Sequence, residues 1–402
     1  MGLLPVEEAL SRVTKGLDPL PSELVPLGKA RGRVLADAVT ANLTQPPFDA
    51  SAMDGYAVRA ADVRDLPATL RLVGESAAGS GYAARLGSGE TVRIFTGAPV
   101  PRGADTVVPQ ENVEVAEAEP QVTIREAEAG RHIRPQGQDF QRGEAVLETG
   151  TALGPRQMML AAAANAAELR VRRKPRVAIL ATGDELVPPG FDPAPDQIVS
   201  SVPYGLCALV IAAGGEAEML GIAEDTPDSL ASLIESGAEA DILVTVGGAS
   251  VGERDLVGKV LQSEGMVLDF WKIAMRPGKP LIFGTRGPQR VLGLPGNPVS
   301  AMVCAHVFLR PMLTRLLGLS EKEAVHQPAL LAETLDKNGP RQHYIRAISK
   351  WNGAGERLVW PQASQDSSLM AAFAKADCLI VRAPEAPPAE RGETVSILPL
   401  DF

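Results

Sequence analysis

Aromatic residues are scarce: Phe, Trp and Tyr make up 4% of the 402-residue chain. That leaves little with which to build the stacking platforms that grip single-stranded nucleic acid. Cations are in the minority, with 39 Lys and Arg against 49 Asp and Glu and a formal net charge of -10. So acidic a chain is a poor general binder of nucleic acid or anionic membrane, and an anionic substrate has to be met by a local basic site. The three cysteines, Cys207, Cys304 and Cys378, are far apart and show no CxxC spacing. Each lies in an apolar run and reads as a small core hydrophobe, which fits a reducing compartment and a cytoplasmic location. His306 has no second ligand at helical spacing and reads as a packed or interface residue. No apolar run reaches the roughly 18 residues of a membrane span. Glu7 and Glu8, with no long apolar core, give no signal-peptide pattern.

What is present is a globular composition, 45% hydrophobic and 22% charged, in a chain too long for a single core. The expected fold class is multidomain α/β. Residues 1–45 read as a helical lead segment: Val6, Ala9, Leu10, Val13 and Leu17 keep helical spacing, and Leu35–Val39 extends it after a Gly-containing break. Residues 46–141 form short strand-like runs divided by Gly and Pro, an inserted β-rich unit. Residues 142–173 bring a last strand, an alanine-rich helix over Pro155–Glu168 and a basic linker over Arg170–Arg176, and belong with the lead segment in one elongated part. Over residues 174–318 strands and helices alternate, which predicts a three-layer α/β domain with a parallel-type sheet. The stretch Pro298–Leu317 reads as one long helix kinked near Pro311. Residues 319–402 read as five strands, enough for a small closed or half-closed β domain.

The chemistry gathers in loops. Ile242–Val246 is a continuous β-branched run, as expected of a strand buried on both faces. It stops at Gly247-Gly248, followed by Ser250, Gly252 and Asp255. As a bare pattern this is a tight strand-to-helix turn with a capping Ser; the alternative is a cradle whose amides hold a phosphate. Val291–Ser300 (VLGLPGNPVS) makes a stiff turn with Pro295 and Gly296, then a helix start with Asn297 as N-cap and Pro298 at the first position, which suits an anion. Between them, FWKIAMRPGKP carries Lys272, Arg276 and Lys279, a solvated basic turn or a polyanion site. Thr182 opens the exit loop of the strand Val177–Leu180. Glu185, Asp225 and Asp255 each follow a strand, so they fall on one edge of the sheet. Close carboxylates repel unless a cation or proton intervenes, and oxygen-only ligands favour Mg2+ over zinc. In the insert, Asp54, Thr96, Arg134 and Asp139 lie in turns that read as surface loops or as a site. Ser367 lies in a C-terminal loop as a cap or a ligand contact.

Seven motifs occur in order: SAMDGYAVR, TGAPVP, RPQGQD, ATGDEL, GGASVGERD, FWKIAMRPGKP and GLPGNPVSA. Together they closely resemble the molybdopterin molybdenumtransferase family, over nearly the whole chain. The resemblance implies an elongated homodimer of four-part subunits, with an active site shared between the α/β molybdopterin-binding domain and the partner's β insert. It implies that molybdate is inserted into adenylated molybdopterin with release of AMP and with Mg2+. Asp54, Thr96, Arg134 and Asp139 from the insert would join Glu185, Asp225, Asp255, Lys272, Arg276, Pro295 and Pro298, with Ser367 from the C-terminal domain. Lys272, Arg276 and Lys279 would neutralise phosphate and molybdate oxygens, the Gly247–Gly252 loop and the Asn297 helix start would add amides, and the three acids would hold the metal. Transient contacts with an adenylyltransferase and with molybdoenzyme chaperones belong to the same expectation; nucleic acid and membrane do not. Two departures stand out: Arg276 where some relatives carry Lys, and Val202 where an Asn is expected. Two alternatives stay open, a molybdopterin adenylyltransferase and a non-catalytic molybdopterin-binding scaffold.

Overall fold

The computed structural model describes residues 3–116, 120–248, 256–319 and 326–401. The chain divides into two compact units, one of Met1–Glu23, Gly32–Ala36 and Val171–Phe402, the other of Leu24–Arg31 and Asp37–Arg170. Within the described residues the lead segment is α-helical at its start and has one 3-10 turn at Leu27–Lys29. Helix α1 spans Val6–Thr14 and buries Val6, Ala9 and Val13. Gly16, at φ +68, turns the chain out of the helix, and the prolines that follow cannot donate to a helical ladder. Leu35–Val39 is not helical as expected: Leu35 bridges Val171 antiparallel, and a bend at Ala36 and Asp37 leads into the two-residue strand Val39–Thr40.

The second unit carries a six-stranded sheet. Its strands are β1 (Gly55–Val58), β2 (Ala68–Ser76), β3 (Glu90–Ile94), β4 (Thr106–Pro109), β5 (Val113–Val115) and β6 (Gln121–Ile124), in the order β4-β1-β3-β2-β6-β5. Ala57, Val92, Ile94 and Val107 fill one core, and Val58, Leu70, Val108 and Ile124 another. Helix α2 spans Pro155–Ala163 and stops short of the expected Glu168, because Asn165 adopts φ +58. A strand over Glu168–Arg172 takes in the start of the expected linker, with Leu169 and Val171 buried and Glu168 and Arg170 exposed.

The first unit holds the three-layer α/β domain. Its elements are β7 (Arg176–Thr182), α3 (Val202–Ala212), β8 (Glu216–Ala223), α4 (Pro227–Ser236), β9 (Ile242–Val246), α5 (Leu256–Ser263), β10 (Val267–Lys272), β11 (Pro280–Arg286), β12 (Gln289–Leu294) and α6 (Pro298–Cys304). The sheet order is β8-β7-β9-β12-β11-β10. The first four strands are parallel, and the β10–β11–β12 meander adds two antiparallel neighbours at one edge. Alternation along β7 assigns the layers. Val177 and Ile179 share a core with α1, α3 and the helix after Pro298, while Ala178 and Leu180 share one with α4 and α5. All five residues of β9 are buried.

The helix after Pro298 continues without a break to Leu317, through a π-helical turn at Ala305–Leu309 and then α7 (Arg310–Leu317). The expected kink at Pro311 is met by this wider turn, which relieves the missing donor and the ring clash. The C-terminal strands are β13 (Gln327–Leu331), β14 (Gln342–Trp351), β15 (Arg357–Pro361), β16 (Cys378–Arg382) and β17 (Thr394–Pro399). They pair cyclically as β14-β15-β13-β17-β16-β14, so the barrel is closed. Leu331, Ala347, Val359, Ile380 and Ile397 fill it.

Candidate active site

Parallel strands end together, so the residues that follow β7, β8, β9 and β12 meet at one edge of the sheet. A cavity of about 1040 Å³ opens there. It is lined by Thr182, Glu185, Asp225, Gly247, Gly248, Pro295, Gly296, Asn297 and Pro298, all expected in the site from the sequence. The Thr182 hydroxyl donates to Asp225 Oδ1 at 2.8 Å, and the Asp225 amide donates to Asp184 Oδ1 at 2.9 Å, which ties two strand exits together. The glycines are required by space as well as by torsion. A Cβ on Gly247, at φ +96, would lie 2.6 Å from the Thr182 carbonyl, and one on Gly248, at φ +62, would lie 2.2 Å from Val257 Cγ2. The Gly247 amide is spent on the Leu294 carbonyl at 3.1 Å. Ser250, Gly252 and Asp255 lie outside the described residues.

The Asn297 side chain does not cap the helix. It donates instead to Ser367 Oγ at 3.0 Å, and the Val299 amide donates to the Ser367 carbonyl at 3.1 Å. Pro298 has no amide, so the helix start offers fewer open donors than the sequence suggests. What it gains is an anchor for the barrel loop, which places Ser368 and Met370 on the cavity wall. Arg346, a buried residue of β14, braces that loop by donating to the carbonyl of Ser364 at 2.9 Å. Sequence reading missed Arg346, because an Arg within a strand pattern carries no signal of burial.

The basic segment is placed differently from expectation. Among the described residues, Lys272, Arg276 and Lys279 do not line the cavity. Lys272 sits with Nζ 4.4 Å over the Trp271 ring, although its register partner Pro280 does line it. Met275–Arg276 pairs in parallel with Gln342 and His343 of β14, leaving Arg276 exposed, and Lys279 is exposed too. The cation that lines the cavity among the described residues is Lys259 of α5, which sequence reading passed over. Val202 also lines it, buried at the start of α3 where the resemblance expects Asn. Among the described residues no group of three His, Cys, Asp or Glu is arranged for a metal. The donors present, two carboxylates and a threonine hydroxyl, are all oxygens, and that chemistry fits a hard cation such as Mg2+.

In the second unit three loops are knitted together. The Ser51 amide donates to the Ala98 carbonyl at 2.9 Å, the Gly97 amide to the Ser51 carbonyl at 2.8 Å, and the Gln136 amide to Asp49 Oδ1 at 2.8 Å. Arg134 pairs with Ala50 in a short antiparallel ladder. Asp54 Oδ1 accepts the Thr96 amide at 2.7 Å and the Thr96 hydroxyl at 2.8 Å. These two bonds, the backbone one first, hold the Asp54 carboxyl below the usual carboxylate range, with help from Arg93. Arg134 and Asp139 are exposed on the same set of loops.

Fold and site together define a multidomain α/β protein with an acid-lined small-molecule cavity at the carboxyl edge of a parallel sheet. Three family profiles match in series: "MoeA N-terminal region (domain I and II)" over residues 4–165, "Probable molybdopterin binding domain" over 178–315 and "MoeA C-terminal region (domain IV)" over 328–400. The chain is 36% identical to a molybdopterin molybdenumtransferase of Haemophilus influenzae, over 99% of both chains. It is 39% identical to another from Nostoc sp., over 81% of this chain and 76% of the relative. The crystal structure of a molybdopterin biosynthesis protein from Pyrococcus horikosii superposes with a TM-score of 0.82 at 30% identity, over 100% of both chains. The chain therefore belongs to the molybdopterin molybdenumtransferase family, a family of transferases in molybdenum cofactor biosynthesis.

Proposed function

We propose that the cavity at the carboxyl edge of the sheet takes adenylated molybdopterin and molybdate, inserts the metal oxide into the dithiolene and releases AMP. The observation that carries this reading is the convergence of Thr182, Glu185, Asp225 and the Gly247-Gly248 turn on one cavity of about 1040 Å³, in a chain of this family. Glu185 and Asp225, with Asp255, are the proposed holders of Mg2+. When bound, that ion supplies charge neutralisation at the phosphates of the departing nucleotide. Thr182 orients the Asp225 carboxylate through its hydroxyl. Ser367 fixes the Asn297 turn, with Pro295, Gly296 and Pro298 shaping the wall beside it. Lys272, Arg276 and Lys279, off the cavity wall, are proposed to attract the two anions at longer range.

Asp54, Thr96, Arg134 and Asp139 are proposed to complete the site in a homodimer, presented by the second copy. Their support is the shared loop cluster and the ionised Asp54 it maintains. We also infer four parts, 1–45 with 142–173, 46–141, 174–318 and 319–402, in line with profile breaks between 165 and 178 and between 315 and 328. A cytoplasmic setting is supported by three unpaired cysteines. No helix among the described residues is long and apolar enough to cross a membrane.

The test is AMP release by the purified full chain given Mg2+, molybdate and adenylated molybdopterin. Asp225→Ala and Glu185→Ala are each expected to lower the rate about 100-fold or more, in the range seen when a positioned charge is lost from a transition state. Consumption of ATP with free molybdopterin, without AMP release from the adenylated form, would favour the adenylyltransferase instead.

A further inference from the structure

The charged side chains lining the cavity, among the described residues, are Glu185, Asp225 and Lys259. Two carboxylates repel any anionic ligand, and the basic segment that was expected to offset them lies off the wall. Lys259 is placed by its helix. On α5, Val257, Val260 and Leu261 are buried against the sheet, while Leu256 and Lys259, three residues apart on one helix face, both reach the cavity. The lysine is exposed, on a wall whose other charged side chains are both acidic. No ion pair within the described residues engages it.

We propose that Lys259 is the phosphate-binding cation of this cavity, contacting the phosphate of the nucleotide that enters as part of the substrate and leaves as AMP. The assignment rests on the proposed reaction for the identity of the phosphate, and on the cavity lining for its location. A flexible ammonium suits this task, since it follows a phosphate that changes from a diphosphate bridge to a free monoester.

The test is titration calorimetry of the full-length chain with AMP alone as the probe. Lys259→Ala is expected to weaken AMP binding about tenfold or more, the scale of a charge-assisted hydrogen bond. Lys259→Arg should restore affinity to within about threefold, because the charge and donors are kept. Raising salt should weaken binding to wild type more than to Lys259→Ala, which a merely structural role would not produce. Equal AMP affinity in wild type and Lys259→Ala, with Lys272→Ala the variant that loses it, would overturn the assignment, as would wild-type protein that does not bind AMP. AMP binding that depends on Lys259 in a chain that releases no AMP from adenylated molybdopterin supports the assignment while rejecting the reaction.

Discussion

Asp54 and Thr96 show how one pair of short side chains sets a charge at a surface. The carboxylate is fully open to solvent, yet it accepts an amide and a hydroxyl from the same residue. Bonds to the charged form favour ionisation. Thr96→Val removes the hydroxyl and keeps the amide and the shape. It is expected to raise the Asp54 pKa part of the way back to its ordinary value, as read from carboxyl-carbon chemical shifts over an acid titration. A titration identical to wild type would mean that the hydroxyl bond contributes nothing in solution. The Asp54–Thr96 pair was in the sequence only as two separate turns, 42 residues apart. Lys259 was missed for the opposite reason: a lone Lys on a helix face looks like every other solvated Lys. Nothing in its neighbours says that the face borders a cavity.

At the scale of elements, strand exits are where the sequence speaks most clearly. The β-branched run of β9 followed by two glycines announces a buried strand and a change of direction after it; the strand is found, and Gly247 and Gly248 both take positive φ. Thr226 announces the start of α4, and its hydroxyl accepts the Ser229 amide. Gly248→Ala would force a Cβ into Val257 while holding φ +62. A loss of about 1–3 kcal/mol in denaturant unfolding is expected from that crowding and strain, together with weaker binding in the cavity. Wild-type stability would show that the turn moves aside freely. Asn297 holds the expected N-cap position of the Pro298 helix, but its side chain makes no cap bond: the Val299 amide it could have accepted goes to the Ser367 carbonyl, and its own amide group donates to Ser367 Oγ, 70 residues further on. Local propensity cannot see such a partner. The strand Glu168–Arg172 straddles the expected end of the alanine-rich helix and start of the basic linker, because its charges mask the alternate burial of Leu169 and Val171.

For the whole molecule, two buried histidines couple stability to pH. Burial, and after it the charges of Arg276 and Arg341, lowers the His343 pKa from 6.5 to about 4. His306 is lowered to about 4 as well, by burial first and Arg310 second. Unfolding returns both to their ordinary value, so between pH 6.5 and about 4 the unfolded chain binds the extra protons. The stability these residues contribute is complete above that window and is lost as pH falls through it. His343→Gln should flatten part of the fall in thermal midpoint across the window, with His306 retaining the rest. An unaltered slope would place the pH dependence elsewhere. By itself the sequence determined the multidomain α/β class, the carboxyl-edge location of Glu185 and Asp225 and the five-strand C-terminal domain, because period, glycine turns and β-branched runs are local properties. Only the tertiary structure decided that the barrel closes, that Lys272, Arg276 and Lys279 stay off the cavity wall, and that Lys259, Arg346 and Ser368 build or brace it. Those outcomes depend on which distant surfaces pack together, and side-chain burial is a property of the packed whole rather than of neighbours along the chain.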